Sequence, residues 1–355
     1  MSDGAYESNV TIERLAARIR AARHVLVTTH AKPDGDALGS TVAVMRACSA
    51  LGIRSEGWLV GPFEPNLLSL ARPTDLTPDL TLVDPKRPTL PAVEPDLVAI
   101  VDTGAWNQLE TLSPWLRDRV DRAIGIDHHA RGDRVAAERV IDVTAGSATA
   151  IVARLVEALG VPLGAGADER GWGSVAEAIF LGLATDTGWF RFQNARPAEF
   201  RLASALLAAG VDKDRLIEVT ENSHRPERLA IEARALSKVR FLDGGRFALT
   251  SLSLADFAET GALLEETSGV VNMPMAVATV RAAALLIESE PGLVKISFRS
   301  KPALRAAGDG GAAPTFVDVN QLAARFGGGG HVHAAGARIR GTLAEAERAV
   351  IAVLA

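Results

Sequence analysis

Apolar positions in the first half of the chain follow two rhythms. In residues 11–22, TIERLAARIRAA, Ile12, Leu15, Ala16 and Ile19 recur at helical spacing and predict an amphipathic helix. Residues 24–29, HVLVTT, are apolar without a helical gap and predict a buried strand. Residues 36–52, DALGSTVAVMRACSALG, return to helical spacing and stop at Gly52. Strand-like runs recur at 54–60, 96–102 and 122–127, while 149–160 and 173–186 read as helices. Strands that are apolar throughout and alternate with helices predict a mostly parallel, doubly wound sheet covered on both faces. Residues 62–95 are rich in proline and predict an irregular excursion.

The texture changes near residue 210. A charged helical stretch, VDKDRLIEVTENSHRPERLAIEARALSKVR, has the character of a connector between domains. Strand candidates at 247–254, 276–289 and 293–300 lie close enough to form a second sheet. Residues 317–327 predict a helix that stops at a glycine run, and 306–314, AAGDGGAAP, predict a mobile loop. The expected fold class is therefore α/β: an N-terminal doubly wound domain over 1–210, a helical linker over 211–235, and a smaller α/β domain with its own sheet over 236–355.

A length of 355 residues suits two domains, and 48% apolar with 23% charged residues suits a globular chain with a sizeable core. Cys48 is the one cysteine, so no intramolecular disulfide can form and a reducing, cytoplasmic setting is expected. The N-terminus lacks the basic and then apolar run of a signal peptide, and no apolar stretch reaches the roughly 18 residues of a membrane span. A net charge of −5 argues against tracking long nucleic acid, whose affinity comes largely from neutralised phosphates.

In open parallel sheets, ligands bind beyond the carboxyl ends of the strands. His30 ends the first predicted strand, Asp102 ends 96–102, and Asp127, His128 and His129 end 122–129. Five of the seven histidines (30, 128, 129, 331 and 333) fall in three short motifs. Each residue has a structural explanation when taken singly. Asp36 can be a helix N-cap, Asp102 the start of a turn, Asp186 a cap, and His24 and His224 packing or surface residues. Together those explanations leave carboxylates and imidazoles converging without a counter-charge. A hard or borderline divalent cation supplies one, and manganese suits this donor set.

The motifs HAKPDGDALGS, VDTG, GIDHH and TDTGWF, in this order and spacing, resemble the four motifs of the DHH phosphoesterase family. FGGGGHVHAAG (326–336) resembles the glycine-rich signature of the C-terminal domain that usually accompanies it. VKISFRSK followed by VDVNQLAARFGGGGH is similar in particular to the branch of nanoRNases, or bifunctional oligoribonucleases and phosphoadenosine-phosphate phosphatases. The resemblance implies that His30, Asp34 and Asp102 hold one metal ion, and that Asp36, Asp102, His128 and Asp186 hold a second, with Asp102 bridging. It implies Mn2+, with Mg2+ or Co2+ as alternatives, a phosphate-contacting catalytic role for His129 beside Asp102, and a homodimer.

Two such ions can share a water and lower its pKa, supplying hydroxide for in-line attack on phosphorus. The expected substrates are short oligoribonucleotides and 3′-phosphoadenosine 5′-phosphate (pAp). Cyclic or linear diadenylate is the alternative substrate; a manganese pyrophosphatase and a non-catalytic nucleotide sensor are the more distant ones. Gly35 and Gly39 are expected to let the first loop turn sharply. In the second domain, Gly327 to Gly330 are expected to form an anion nest, with Arg299, Ser300, His331 and, more weakly, Asn272 as substrate contacts. A second domain facing the metals would favour substrates of two to five nucleotides.

Overall fold

The computed structural model describes residues 6–71, 80–92, 94–167, 173–302 and 316–354. The chain forms two units, Met1–Ser223 and His224–Ala355. The boundary falls inside the charged 211–240 stretch. The predicted loop 306–314 lies outside the described residues.

In the first unit, β1 (His24–Thr28), β2 (Arg54–Val60), β3 (Leu80–Val83), β4 (Leu97–Val101), β5 (Ala123–Asp127) and β6 (Glu138–Ile141) make one sheet in the order β3-β2-β1-β4-β5-β6. All its pairings are parallel. Helices α1 (Ile12–Ala21), α2 (Gly35–Ala50), α3 (Pro65–Ala71), α4 (Ser113–Leu116), α5 (Ala148–Ala158), α6 (Val175–Asp186), α7 (Pro197–Ala208) and α8 (Lys213–Glu221) complete the unit. On one face of the sheet, Val25, Val27, Leu59, Ala99 and Ile124 join a core with side chains of α1, α2, α5 and α6. On the other, Leu26, Trp58, Val98 and Ile100 pack on Leu109, Leu112, Trp115 and Leu116. Strands buried on both faces explain the unbroken apolar runs.

The sequence order reverses between β1 and β4, which are neighbours in the sheet although far apart in the chain. Connections leave these two strands in opposite directions and open a crevice at their carboxyl ends. His30 and Asp102 follow those two ends.

Three expectations are corrected. Residues 62–95 are not wholly irregular, because they contain α3 and the edge strand β3, which buries Leu80 and Val83 alongside β2. The N-cap of α2 is Asp34, whose Oδ1 accepts from the Asp36 and Ala37 amides at 3.0 and 3.1 Å. Gly35 and Gly39 lie within α2 and serve helix packing, with no left-handed turn at either. A Cβ on Gly35 would stand 2.3 Å from Thr185 Oγ1, and one on Gly39 would stand 2.3 Å from the Ala178 carbonyl. In the loop itself it is Lys32 that takes the left-handed conformation, at φ 59°.

In the second unit, β7 (Arg240–Leu242), β8 (Phe247–Leu252), β9 (Ala282–Glu290), β10 (Leu293–Ser300), β11 (Gly329–His331) and β12 (Ala334–Arg340) form a separate sheet in the order β11-β12-β10-β9-β8-β7. Only the β8–β9 pairing is parallel among the described strands. Helices α9 (Pro226–Ser237) and α10 (Leu254–Thr260) belong to this unit, as do α11 (Val319–Ala324) and α12 (Leu343–Leu354). Ala284, Leu286, Ile296 and Phe298 face a core with α11 and α12, while Ala283, Leu285 and Ile287 face Ile231 and Ala235 of α9. The charged connector is two helices, α8 and α9, separated at 222–225, with Pro226 in the first turn of α9, where its missing N–H costs nothing.

The glycine packing yields a stability test. Gly39→Ala should lower unfolding stability by about 1–3 kcal/mol through overpacking against a fixed backbone carbonyl. Gly164→Ala, where an added Cβ meets nothing within 4 Å, should stay within about 0.5 kcal/mol of the wild type. Urea denaturation of both variants makes the comparison.

Candidate metal centre

At the β1–β4 crevice the chain brings four carboxylates and three imidazoles together. His30 leaves β1, and its Nδ1–H donates to the Ala31 carbonyl at 3.0 Å. That bond fixes the ring and leaves Nε2 facing Asp102 Oδ2 at 3.5 Å and Asp34 Oδ1 at 3.9 Å. Asp102 follows β4 with φ 57°, an uncommon conformation for a residue with a side chain. Its amide donates to the Ile126 carbonyl at 2.8 Å, which holds that backbone in place. Observed strain of this kind at a cluster of titratable groups points toward function.

Asp36 is carried by the first turn of α2. The N-terminus of α5 grips its carboxylate, with the Ala148 amide donating to Oδ2 at 2.6 Å and the Thr149 amide to Oδ1 at 2.9 Å. Helix N-termini favour anions, so α5 orients this carboxylate before any ligand arrives. Gly182 of α6 permits the approach, since a Cβ there would stand 2.6 Å from Asp36 Oδ1. Asp186 ends α6, and Asn194 Nδ2 donates to its backbone carbonyl at 3.1 Å.

His128 and His129 follow β5. His128 Nδ1 lies 3.4 Å from the Ala145 carbonyl, and Nε2 lies 3.4 Å from Asp102 Oδ1, 3.8 Å from Asp186 Oδ2 and 3.9 Å from Asp36 Oδ2. His129 Nδ1–H donates to Asp127 Oδ1 at 2.7 Å. The same Asp127 oxygen accepts the His128 and His129 amides at 2.8 and 3.2 Å. Asp127 Oδ2 accepts the Tyr6 phenol at 2.7 Å.

Three overlapping sets of donor atoms lie within 4.8 Å of one another: His30, Asp34 and Asp102; Asp36, His128 and Asp186; and Asp102, His128 and His129. Asp102 is 2% exposed, and its buried Oδ1 makes no well-formed hydrogen bond, with His128 Nε2 standing off at 3.4 Å. A buried, unsatisfied carboxylate oxygen is costly, and a cation removes that cost. Carboxylate oxygens with imidazole nitrogens match manganese, zinc or magnesium better than a soft ion. The residues present fit a divalent metal.

Electrostatics agree with that fit. Burial disfavours charge on His30, but hydrogen bonding to Asp102 and the charges of Asp34 and Asp102 outweigh it and raise the pKa to about 10. His128 is likewise opposed by burial, yet is raised to about 10 by Asp102, Asp186 and Asp36. His129 is raised against its burial by Asp127. Asp102 is held well below the usual carboxylate range despite burial, by His128 and His30. Burial, and then the charge of Asp102, push Asp36 up to about 7, and burial followed by Asp36 pushes Asp186 well up. The carboxylates of the cluster thus favour positive charge at His30 and His128.

Arg299, Ser300, Gly329, Gly330, His331 and Asn272 lie in the second unit. Arg299 is mostly buried, its Nη1–H donates to the Phe298 carbonyl at 2.9 Å, and burial lowers its pKa. Ser300 Oγ pairs with His333 Nδ1 at 2.8 Å. Gly330, at φ 151°, has its amide taken by Asn320 Oδ1 at 2.9 Å, and Gly329 and His331 pair with β12. Asn272 is exposed in a 3-10 turn. Sequence reasoning missed Tyr6, the α5 amides and Asn194, and it gave Asp127 no role. Asp127 alone left a signal, through its place directly before the two histidines.

The protonated imidazoles give a pH test. A metal ion must displace protons held with a pKa of about 10, so binding releases protons and tightens as pH rises. Calorimetric titration of manganese in two buffers of different ionisation enthalpy should show proton release. Affinity should rise between about pH 6 and about pH 9.

Residues 24–183 match the DHH family, N-terminal domain. The chain is 30% identical to the bifunctional oligoribonuclease and PAP phosphatase NrnA of Thermus thermophilus, over 89% of this chain and 84% of that protein. It is 24% identical to the protein of the same name from Bacillus subtilis, over 89% of each. A crystal structure of an exopolyphosphatase-related protein from Bacteroides fragilis superposes with a TM-score of 0.81 at 24% identity, over 96% of this chain and 94% of that one. With the motif order, the sheet and the donor cluster in agreement, this chain belongs to the DHH family and is a phosphoesterase.

Proposed function

We propose that the protein hydrolyses short oligoribonucleotides and pAp to mononucleotides, using two divalent metal ions, most suitably Mn2+. The observation that carries this reading is the buried Asp102 carboxylate, with Oδ2 toward His30 and Oδ1 toward His128, between two otherwise separate donor sets. His30, Asp34 and Asp102 would hold one ion, and Asp36, Asp102, His128 and Asp186 the other. Bound there, the ions would supply an activated water and neutralise charge on the phosphoryl oxygens.

The chain's own residues do the rest. Asp36, gripped by the α5 amides, and His30, fixed by the Ala31 carbonyl, keep the donors preorganised, so little reorganisation is needed. His129, whose Nδ1–H is held by Asp127, stands beside Asp102 and can stabilise charge that develops on the phosphoryl group or leaving oxygen. Arg299 and Ser300 of β10, with the glycine-flanked His331, are the proposed contacts to the remainder of the substrate. The names of the Thermus thermophilus and Bacillus subtilis relatives support this substrate class.

Purified protein with manganese should release AMP from pApA and phosphate from pAp, and a chelator should stop both. Asp102→Asn should lower turnover on the order of a thousandfold. Full activity in that variant sinks the assignment. Running cyclic di-AMP alongside ranks the alternative substrate.

A further inference from the structure

Residues 6–9 run beside β6, the outer strand of the first sheet, and cover its free edge. The Asn9 amide donates to the Arg139 carbonyl at 3.0 Å, and Asn9 Oδ1 accepts the Arg139 amide at 2.7 Å. One residue pair further on, Ser8 Oγ donates to the Ile141 carbonyl at 2.9 Å and accepts the Ile141 amide at 2.8 Å. Side chains thus do what a further strand would do, tying the segment to an edge that otherwise exposes peptide groups. The same segment carries Tyr6, the single tyrosine of the chain.

Tyr6 has a shaped seat. A Cβ on Gly104 would stand 1.7 Å from the phenol oxygen, and one on Gly132 would stand 2.5 Å from the ring. Only glycine at both positions admits the ring. The Arg139 guanidinium lies 6.0 Å from the ring centroid, which favours the aromatic face. From this seat the hydroxyl reaches Asp127 Oδ2 at 2.7 Å, and Asp127 Oδ1 takes the His129 Nδ1–H at 2.7 Å. An ionised carboxylate accepts only, so the phenol and the imidazole are both donors to it.

We propose that Tyr6 is a positioning residue for the reaction, acting through Asp127 to fix the ring orientation and tautomer of His129. Asp127 Oδ1 accepts the His128 and His129 amides as well as the His129 Nδ1–H, and the Tyr6 donor on Oδ2 adds to the resistance against rotation about Cβ–Cγ. With both oxygens held, Oδ1 stays aligned with Nδ1 and the His129 ring keeps its orientation. Outer partners of this kind are worth about ten- to a hundredfold in activity in metal sites. The proposal rests on the hydrolytic reading above for its kinetic consequence and on the geometry alone for its structural one.

Tyr6→Phe tests it, because the ring keeps its seat and loses only the donor. In the manganese-loaded full-length protein, kcat on pApA should fall about tenfold with KM and manganese affinity unchanged. In an Asp127→Asn background the same change should have no further effect. Independently of activity, the imidazole N–H resonance of His129, in 15N-histidine-labelled protein and assigned by its loss in His129→Gln, should shift in Tyr6→Phe. An unchanged kcat, or an unchanged His129 resonance whatever the activity does, overturns the proposal. Failure of wild-type protein to cleave pApA or pAp would instead count against the hydrolytic reading, and the resonance would still decide the role of Tyr6.

Discussion

Asp102 carries the constraint from which the site is built. Its carboxylate is almost fully buried, its backbone sits in a left-handed conformation, and one of its oxygens makes no well-formed hydrogen bond. None of these is favourable alone. An isolated buried carboxylate takes up a proton or finds a positive partner, and here two imidazoles stand 3.4 and 3.5 Å from its two oxygens. The carboxylates around His30 and His128 outweigh their burial and raise both pKa values, so an ion bound by these imidazoles would displace protons.

The scaffold explains how like charges can be gathered without repelling one another apart. Asp34 spends one oxygen on the α2 amides, Asp36 spends both on α5 amides, and Asp127 spends both on neighbouring donors. Each carboxylate is thus fixed by backbone dipoles or side-chain donors from its own side of the crevice. The close approach of α2 and α6, made possible by Gly35, Gly39 and Gly182, brings Asp36 and Asp186 to the same side of His128. Packing small enough to need glycine and chemistry that needs carboxylates are, in this unit, the same design requirement.

The sequence determined a good deal. Unbroken apolar strands alternating with helices specify a parallel sheet buried on both faces, and strand-terminal His30, Asp102 and His128 specify one edge, because parallel strands all end on the same side. The DHH motifs could be read because they are local and need only short spacing. Tertiary structure decided what depends on contacts between distant segments. The β1–β4 adjacency placed the cluster at the switch point, and the α5 N-terminus was found to hold Asp36 from over a hundred residues away. Gly35 and Gly39 proved to be contact surfaces in a helix, which no local pattern distinguishes from a loop glycine. Tyr6 lies 121 residues from Asp127, and its role follows only from a seat made by two other glycines. Periodicity and motif spacing record what a residue does with its neighbours in the chain; which distant groups satisfy a buried charge is fixed only when the chain has closed around it.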